Sequence, residues 1–132
     1  MLAKTLEDTK KIAQMYAEEN IPVLALLGEM GSGKTTFAQY YAKALGVEDD
    51  VLSPTFSLVR EYDTPQGPLY HCDLYRIEDE EELAAMGFEE YFHKGAKLVI
   101  EWPQIAQAYL LDAVYLEIKV DEQGHRIFRR QG

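Results

Sequence analysis

The sequence predicts an α/β fold whose sheet is partly parallel, with antiparallel strands in the C-terminal half and flanking helices. Three observations carry that expectation. Val23 to Leu27 is a short continuous apolar run, the pattern of a strand buried on both faces of a parallel sheet. A glycine-rich turn follows it directly and opens a helical stretch. The later strand-like segments alternate in polarity or are joined by turn formers, as antiparallel strands are.

Taken in order, residues 5–19 read as a helix: Asp8 and Thr9 are good start residues, and Ile12, Ala13 and Tyr16 fall on one face. Pro22 breaks that pattern before the first strand. After the glycine-rich turn a helix is expected from about Thr35 to Leu45, with Gly46 as its stop and Tyr40 and Tyr41 packed on the sheet. Phe56 to Tyr62 and Leu69 to Tyr75 read as strands, joined in a hairpin-like way by Asp63-Thr64-Pro65-Gln66-Gly67-Pro68. Glu78 to Met86 suits a short helix whose acids sit at the positive dipole end, closed by Gly87. Leu98 to Ile100 is a second apolar strand, ending at Glu101 and leaving through Trp102-Pro103. Val114 to Val120 alternates as a half-exposed strand, and Asp121 to Gly124 turns the chain into a last strand, about Arg126 to Arg129.

A chain of 132 residues, 47% hydrophobic and 27% charged, suits one globular domain spanning residues 1–132. The formal net charge of −10 argues against a free-standing nucleic-acid binder, which needs clustered Lys and Arg, and against adsorption to anionic membrane. An acidic surface can dock a basic partner or keep the protein soluble. Cys72 is the single cysteine, so no internal disulfide forms; with no apolar run of signal-peptide or bilayer-spanning type, a cytoplasmic location is expected. Cys72 itself reads as a small buried hydrophobe.

The strongest chemical signal is Gly28-Glu29-Met30-Gly31-Ser32-Gly33-Lys34-Thr35, which fits G-x-x-x-x-G-K-[ST] at every fixed position and lies between strand and helix. Glycines let the backbone approach an anion with no Cβ in the way. The turn's N–H groups form a phosphate nest, and the helix N-terminus adds partial positive charge. Lys34 carries an ammonium to the β and γ phosphates, and the Thr35 hydroxyl is a hard oxygen ligand for Mg²⁺. Gly28, Glu29, Gly31, Ser32, Gly33, Lys34, Thr35 and Thr36 are therefore the expected phosphate-binding set of a P-loop NTPase-like sheet, with a nucleoside triphosphate and Mg²⁺ as cofactors.

Such a site needs an acid on a neighbouring strand. Glu101 ends a buried strand, at the edge where open α/β sheets bind ligands, and is assigned to the metal. Asp73, in Tyr70-His71-Cys72-Asp73-Leu74-Tyr75-Arg76, is assigned to ordering the attacking water or a switch segment. Thr55 follows the P-loop helix closely enough to sense the γ-phosphate as switch loops do, although spacing alone favours an ordinary capped turn. Trp102 beside Glu101 is either a packed aromatic or part of the site. Arg76 and Arg60 can offset phosphate charge or form surface ion pairs. His71, His93 and His125 lack metal-ligand spacing and receive no role.

The ordered set GEMGSGKTTF (Gly28 to Phe37), SPTFSLV (Ser53 to Val59), YHCDLYR (Tyr70 to Arg76), EEL and MGF (Glu81 to Leu83, Met86 to Phe88), EEYF (Glu89 to Phe92) and VIEWP (Val99 to Pro103) resembles the bacterial tRNA threonylcarbamoyladenosine biosynthesis ATPase family, TsaE. The resemblance covers nearly the whole chain. It implies a protein that binds ATP, hydrolyses it slowly alone, and resets or regulates the TsaB–TsaD transferase pair, meeting tRNA only through those partners. By position it implies phosphate binding by Lys34 and the loop, Mg²⁺ held by Thr35 and Glu101, Thr55 and Asp73 in the switch and catalytic region, Trp102 beside the metal acid, and Thr9 near the nucleotide base. The family loop more often reads Gly-Asp-Leu-Gly-Ala-Gly-Lys-Thr; here Glu29, Met30 and Ser32 differ, none at a fixed position.

Two other functions fit a P-loop. A small-molecule kinase would use Asp73 on a substrate hydroxyl and Arg76 on its charge, but the chain shows no Arg-rich lid. A non-catalytic nucleotide-binding subunit would leave Asp73 and Glu101 structural. A GTPase is disfavoured by the lack of an Asn-Lys-x-Asp signature after the P-loop.

Overall fold

A computed structural model describes residues 1–48 and 58–131. Its elements in chain order are β1 (Leu2–Ala3), α1 (Leu6–Glu18), β2 (Val23–Leu27), α2 (Lys34–Ala44), β3 (Val59–Thr64), β4 (Gly67–Asp73), α3 (Glu80–Ala85), β5 (Lys97–Glu101), β6 (Val114–Val120) and β7 (Arg126–Gln131), with 3₁₀ segments at Phe88–Tyr91 and Pro103–Tyr109. The strands form a seven-stranded sheet in the order β1-β7-β6-β2-β5-β4-β3. β2 lies parallel to both β5 and β6, and β5 parallel to β4. The pairs β3–β4, β6–β7 and β1–β7 are antiparallel. The parallel strands thus occupy the centre, and the antiparallel ones lie at both edges, including the expected 63–68 hairpin.

Apolar runs become strands here because both faces of the sheet are covered. Leu24 and Leu26 of β2 and Val99 of β5 face α1 and α2, in a core with Phe37, Ala38 and Tyr41. Ala25, Leu98 and Ile100 point to the other face, under Leu83, Phe88 and Ala106 of α3 and the 3₁₀ segments. Neither of those segments has enough turns to show a helical period in sequence, so reading residues one by one does not find them.

The first helix starts earlier than its Asp8 and Thr9 suggested. Thr5 is the N-cap: its hydroxyl oxygen accepts from the Asp8 amide at 3.1 Å, and the Asp8 carboxylate accepts from the Lys4 amide at 3.0 Å. This reciprocal arrangement satisfies donors that the helix leaves orphaned. The Lys4 amide is also the first cause that holds the Asp8 carboxyl below its ordinary pKa. Thr5→Ala is expected to cost about 1 kcal/mol in urea unfolding, the usual worth of such a cap; an unchanged midpoint would show that the cap does not support α1. Cys72 is fully buried and its thiol is pushed up by desolvation, as a small core residue would be.

Candidate functional site

β2 delivers the chain at the carboxyl edge of the parallel strands, and the turn from Gly28 to Gly33 carries it into α2. A Cβ at Gly28 would lie 2.6 Å from the Ser32 hydroxyl and 2.7 Å from the Ile118 carbonyl oxygen, so only glycine fits between the turn and β6. Gly33 caps α2 at φ 102°, a left-handed backbone that side chains resist, and no side chain caps the helix. The first-turn N–H groups of α2 are therefore left for an external acceptor, the arrangement that binds anions.

Lys34 is 5% exposed. Its ammonium donates to the Gly28 carbonyl and, at 3.5 Å, to the Glu29 carbonyl, and it lies 3.5 Å from the centre of the Trp102 ring. Burial holds its pKa below the ordinary lysine value, against the opposing charges of Glu101 and Asp73. Trp102 reaches that position from a left-handed backbone, φ 55°, at the exit of β5, and its indole also packs against Tyr75 with ring centres 5.1 Å apart. Few non-glycine residues adopt that conformation unless the surroundings hold them in it.

Glu101 ends β5, buried. One carboxylate oxygen accepts from the Thr35 hydroxyl at 2.8 Å, and the other lies 2.6 Å from His71 Nε2. Parallel register sets Asp73 of β4 directly beside Glu101. Asp73 is half-buried and accepts from the Tyr75 amide at 3.1 Å. Its pKa is raised, chiefly by burial, with the neighbouring Glu101 charge adding to it; the Tyr75 amide, His71 and Lys34 pull the other way.

A cleft of about 360 Å³ joins these groups. Gly31, Gly33, Lys34, Thr35 and Thr36 line one side of it, and Asp73, Glu101 and Trp102 face them. Gly28, Glu29 and Ser32 lie on the outer flank of the loop, along a second groove. Thr9 stands apart: it is buried in α1, where its hydroxyl donates to the Thr5 carbonyl at 3.5 Å, and it does not line the cleft. Thr55 lies outside the described residues.

Two residues enter the site without having been singled out for it. Arg126, the first residue of β7, lines the cleft; its Nε donates to the Ser32 carbonyl at 3.2 Å and a terminal nitrogen donates to the Gly124 carbonyl at 3.0 Å. Arg76 and Arg60, weighed for a charge-offsetting task, do not line it. His71 is fully buried, its Nδ1 has no partner among the described residues, and its Nε2 fixes Glu101. Both positions depend on strand order, and no local motif marks them.

The donor set suits a magnesium polyphosphate. A hydroxyl and a carboxylate already within hydrogen-bond distance offer hard oxygens, and the Ser32 hydroxyl is buried beside the loop with no partner among the described residues. Among the described residues no group of three or more His, Cys, Asp or Glu could cage a metal. Mg²⁺ bound with phosphates asks for less, one or two protein ligands.

A parallel sheet centred on β2, a glycine turn opening α2 and a buried acid at the end of the adjacent strand define the P-loop NTPase-like class. Within that class, the family model for "Threonylcarbamoyl adenosine biosynthesis protein TsaE" matches residues 3–131, and the chain belongs to the TsaE family. The tRNA threonylcarbamoyladenosine biosynthesis protein TsaE of Bacillus subtilis is 43% identical over 106 residues, 79% of this chain and 66% of the relative. That of Aquifex aeolicus is 36% identical over 133 residues, 98% of this chain and 92% of the relative. The crystal structure of Bacillus subtilis YdiB superposes with a TM-score of 0.80 at 32% identity, covering 97% of this chain and 80% of the other. The chain thus spans about two thirds of the Bacillus subtilis relative's length. Among the described residues no helix is long and apolar enough to cross a membrane.

Proposed function

We propose that this chain binds ATP with Mg²⁺, hydrolyses it slowly alone, and serves as a regulatory subunit in making threonylcarbamoyladenosine in tRNA, acting on a TsaB–TsaD transferase pair and meeting tRNA only through it. The observation that carries the reading is the convergence of Lys34, Thr35 and Glu101 at one end of β2 and β5, under the uncapped start of α2.

Each residue then has a task. The loop amides and the first turn of α2 receive phosphate oxygens. Lys34 exchanges two main-chain carbonyls for phosphate oxygens, which leaves no buried charge unpaired in either state. Thr35 and Glu101 hold Mg²⁺, which when bound neutralises charge on the phosphates. His71 keeps the Glu101 carboxylate aimed at Thr35 as an outer support would. Asp73 orients the water that attacks the γ-phosphorus, releasing ADP and phosphate. Trp102 walls the site beside Lys34. Thr9 has no such support, because its hydroxyl is turned onto its own helix.

Slow turnover alone fits the cations available. The cleft is lined by Lys34 and Arg126, and the guanidinium is engaged with two carbonyls. A partner that released Arg126 or brought its own cation would speed the reaction. Met30 and Tyr75, 69% and 55% exposed at the cleft's mouth, and the net charge of −10 suit contact with a protein that is basic and partly apolar.

Reconstituted tRNA modification tests the reading: adding this protein and ATP to the TsaB–TsaD pair should sustain repeated turnover, and equal yield without it would refute the regulatory role. Within the site, Glu101→Gln keeps the side chain's shape and removes its charge. It is expected to weaken Mg²⁺-dependent ATP binding at least about tenfold while leaving binding of metal-free ATP near wild type. If Asp73→Asn has that effect instead, the two acids exchange roles.

A further inference from the structure

A cavity lies at the opposite end of the sheet from the P-loop. Lys97 begins β5 and Glu101 ends it, so the two are separated by about 13 Å at the usual strand rise. The cavity, of about 980 Å³ and open to solvent on one side, is lined by the carboxyl ends of α1 and α2, the β3–β4 turn and the segment leading into β5. None of its lining residues borders the nucleotide cleft.

Lys97 is the unusual group in its wall. The residue is 8% exposed, and among the described residues its ammonium has one hydrogen-bond partner, the Asn20 side-chain oxygen, to which it donates at 2.6 Å. An ammonium has three donors. Among the described residues no carboxylate lies within ion-pair distance of it, although the protein carries 23 acids against 13 Lys and Arg. Burial accordingly depresses the Lys97 pKa, with no opposing charge to restore it. Around it the described wall is basic rather than acidic: Lys94 and His93 adjoin it, and Glu18 is the single acid among the described lining residues. Gln14 and Gln66 add neutral hydrogen-bonding groups, while Ala44 and Leu45 supply an apolar side.

We infer that this cavity is a second ligand site, taking a small organic monoanion through a carboxylate set against Lys97, with the body of the ligand on the Ala44–Leu45 wall. A buried, under-paired ammonium gains most from an anionic acceptor, because desolvated charge-assisted hydrogen bonds are the strong ones. The site selects against phosphate. Its described lining residues include no guanidinium, and two helix carboxyl ends place partial negative charge at the wall, which penalises a dianion more than a monoanion. The cavity's volume is that of a site for a small molecule.

The test uses the full chain, with sodium benzoate as the carboxylate and sodium phosphate as the competing anion at constant ionic strength. Backbone amide NMR should show saturable benzoate shifts confined to residues 14–20, 44–45, 66 and 93–97, and Lys97→Met should weaken that binding about tenfold, the worth of one charge-assisted hydrogen bond. Binding of ATP at the P-loop should be unaltered, which separates this outcome from failure of the nucleotide reading. A variant-free measurement guards against misfolding of Lys97→Met. In the wild-type protein, benzoate should slow reductive methylation of Lys97 severalfold and leave that of the surface lysines Lys10 and Lys11 unchanged. Shifts that do not saturate, equal affinity in Lys97→Met, equal protection by phosphate, or no protection of Lys97 would each overturn the assignment.

Discussion

Lys34→Met is expected to weaken ATP binding about a hundredfold or more, measured by calorimetry with Mg²⁺ present, because two or more charge-assisted hydrogen bonds in a partly desolvated cleft are lost together. Methionine keeps an unbranched stem along the buried path that Lys34 occupies, so the loss reports charge rather than packing. The free protein should tolerate the change. Lys34 there satisfies its ammonium on the Gly28 and Glu29 carbonyls, and those two oxygens belong to a turn open to water on its outer flank. Unfolding midpoints of the variant and the parent should therefore lie close together without nucleotide and diverge with it, since a ligand stabilises only what it binds. Near-normal ATP affinity in a folded Lys34→Met protein would refute the phosphate role of the loop.

Phe37→Ala carries the largest expected loss of stability, about 3–5 kcal/mol, as for other fully buried phenylalanines. Phe37 is one turn into α2 and completely enclosed. Its ring meets Tyr16 of α1 edge-on at 6.2 Å, stacks on Tyr41 at 6.2 Å and tilts against Phe128 of β7 at 5.5 Å. One ring thus ties both helices on this face to β7, the strand next to the β1 edge of the sheet, and α1 and α2 cannot close the gap without leaving the strands. The loss is a large share of a typical domain's total stability, roughly 5–15 kcal/mol. Urea titration should show the midpoint falling with the slope unchanged. A cost below about 1 kcal/mol would mean that the face repacks around the cavity.

The legible parts of this protein are those written in consecutive residues. Val23–Leu27, the glycine turn and α2 follow from an apolar run, backbone freedom and a helical stretch, and each appears where the pattern places it. Glu101 was legible for the same reason: an acid closing Leu98-Val99-Ile100 must fall at a strand end. The pairing of Asp73 with Glu101 needed the β4–β5 register, which no single segment encodes. Arg126 needed more. It reaches Ser32 across 94 positions because β6 lies beside β2 and β7 folds back along β6, a sheet order that a residue pattern does not contain. His71 reads alone as a histidine without metal spacing; its contact with Glu101 arises because adjacent parallel strands turn both side chains to one side. At α1 the misreading was of cap chemistry, since Thr5, Asp8 and Thr9 can all begin a helix and only the fold decides which hydroxyl meets the third amide.

The contact between Lys34 and Trp102 has an optical consequence. The chain has a single tryptophan, so its indole emission belongs to one ring, and that ring carries the loop's ammonium on its face. A cation held against an indole perturbs the excited state, and withdrawing the cation to a phosphate changes the light emitted. The protein therefore contains its own fluorophore at the place where occupancy matters, and a stopped-flow trace of that emission would time the arrival and departure of nucleotide with no label attached.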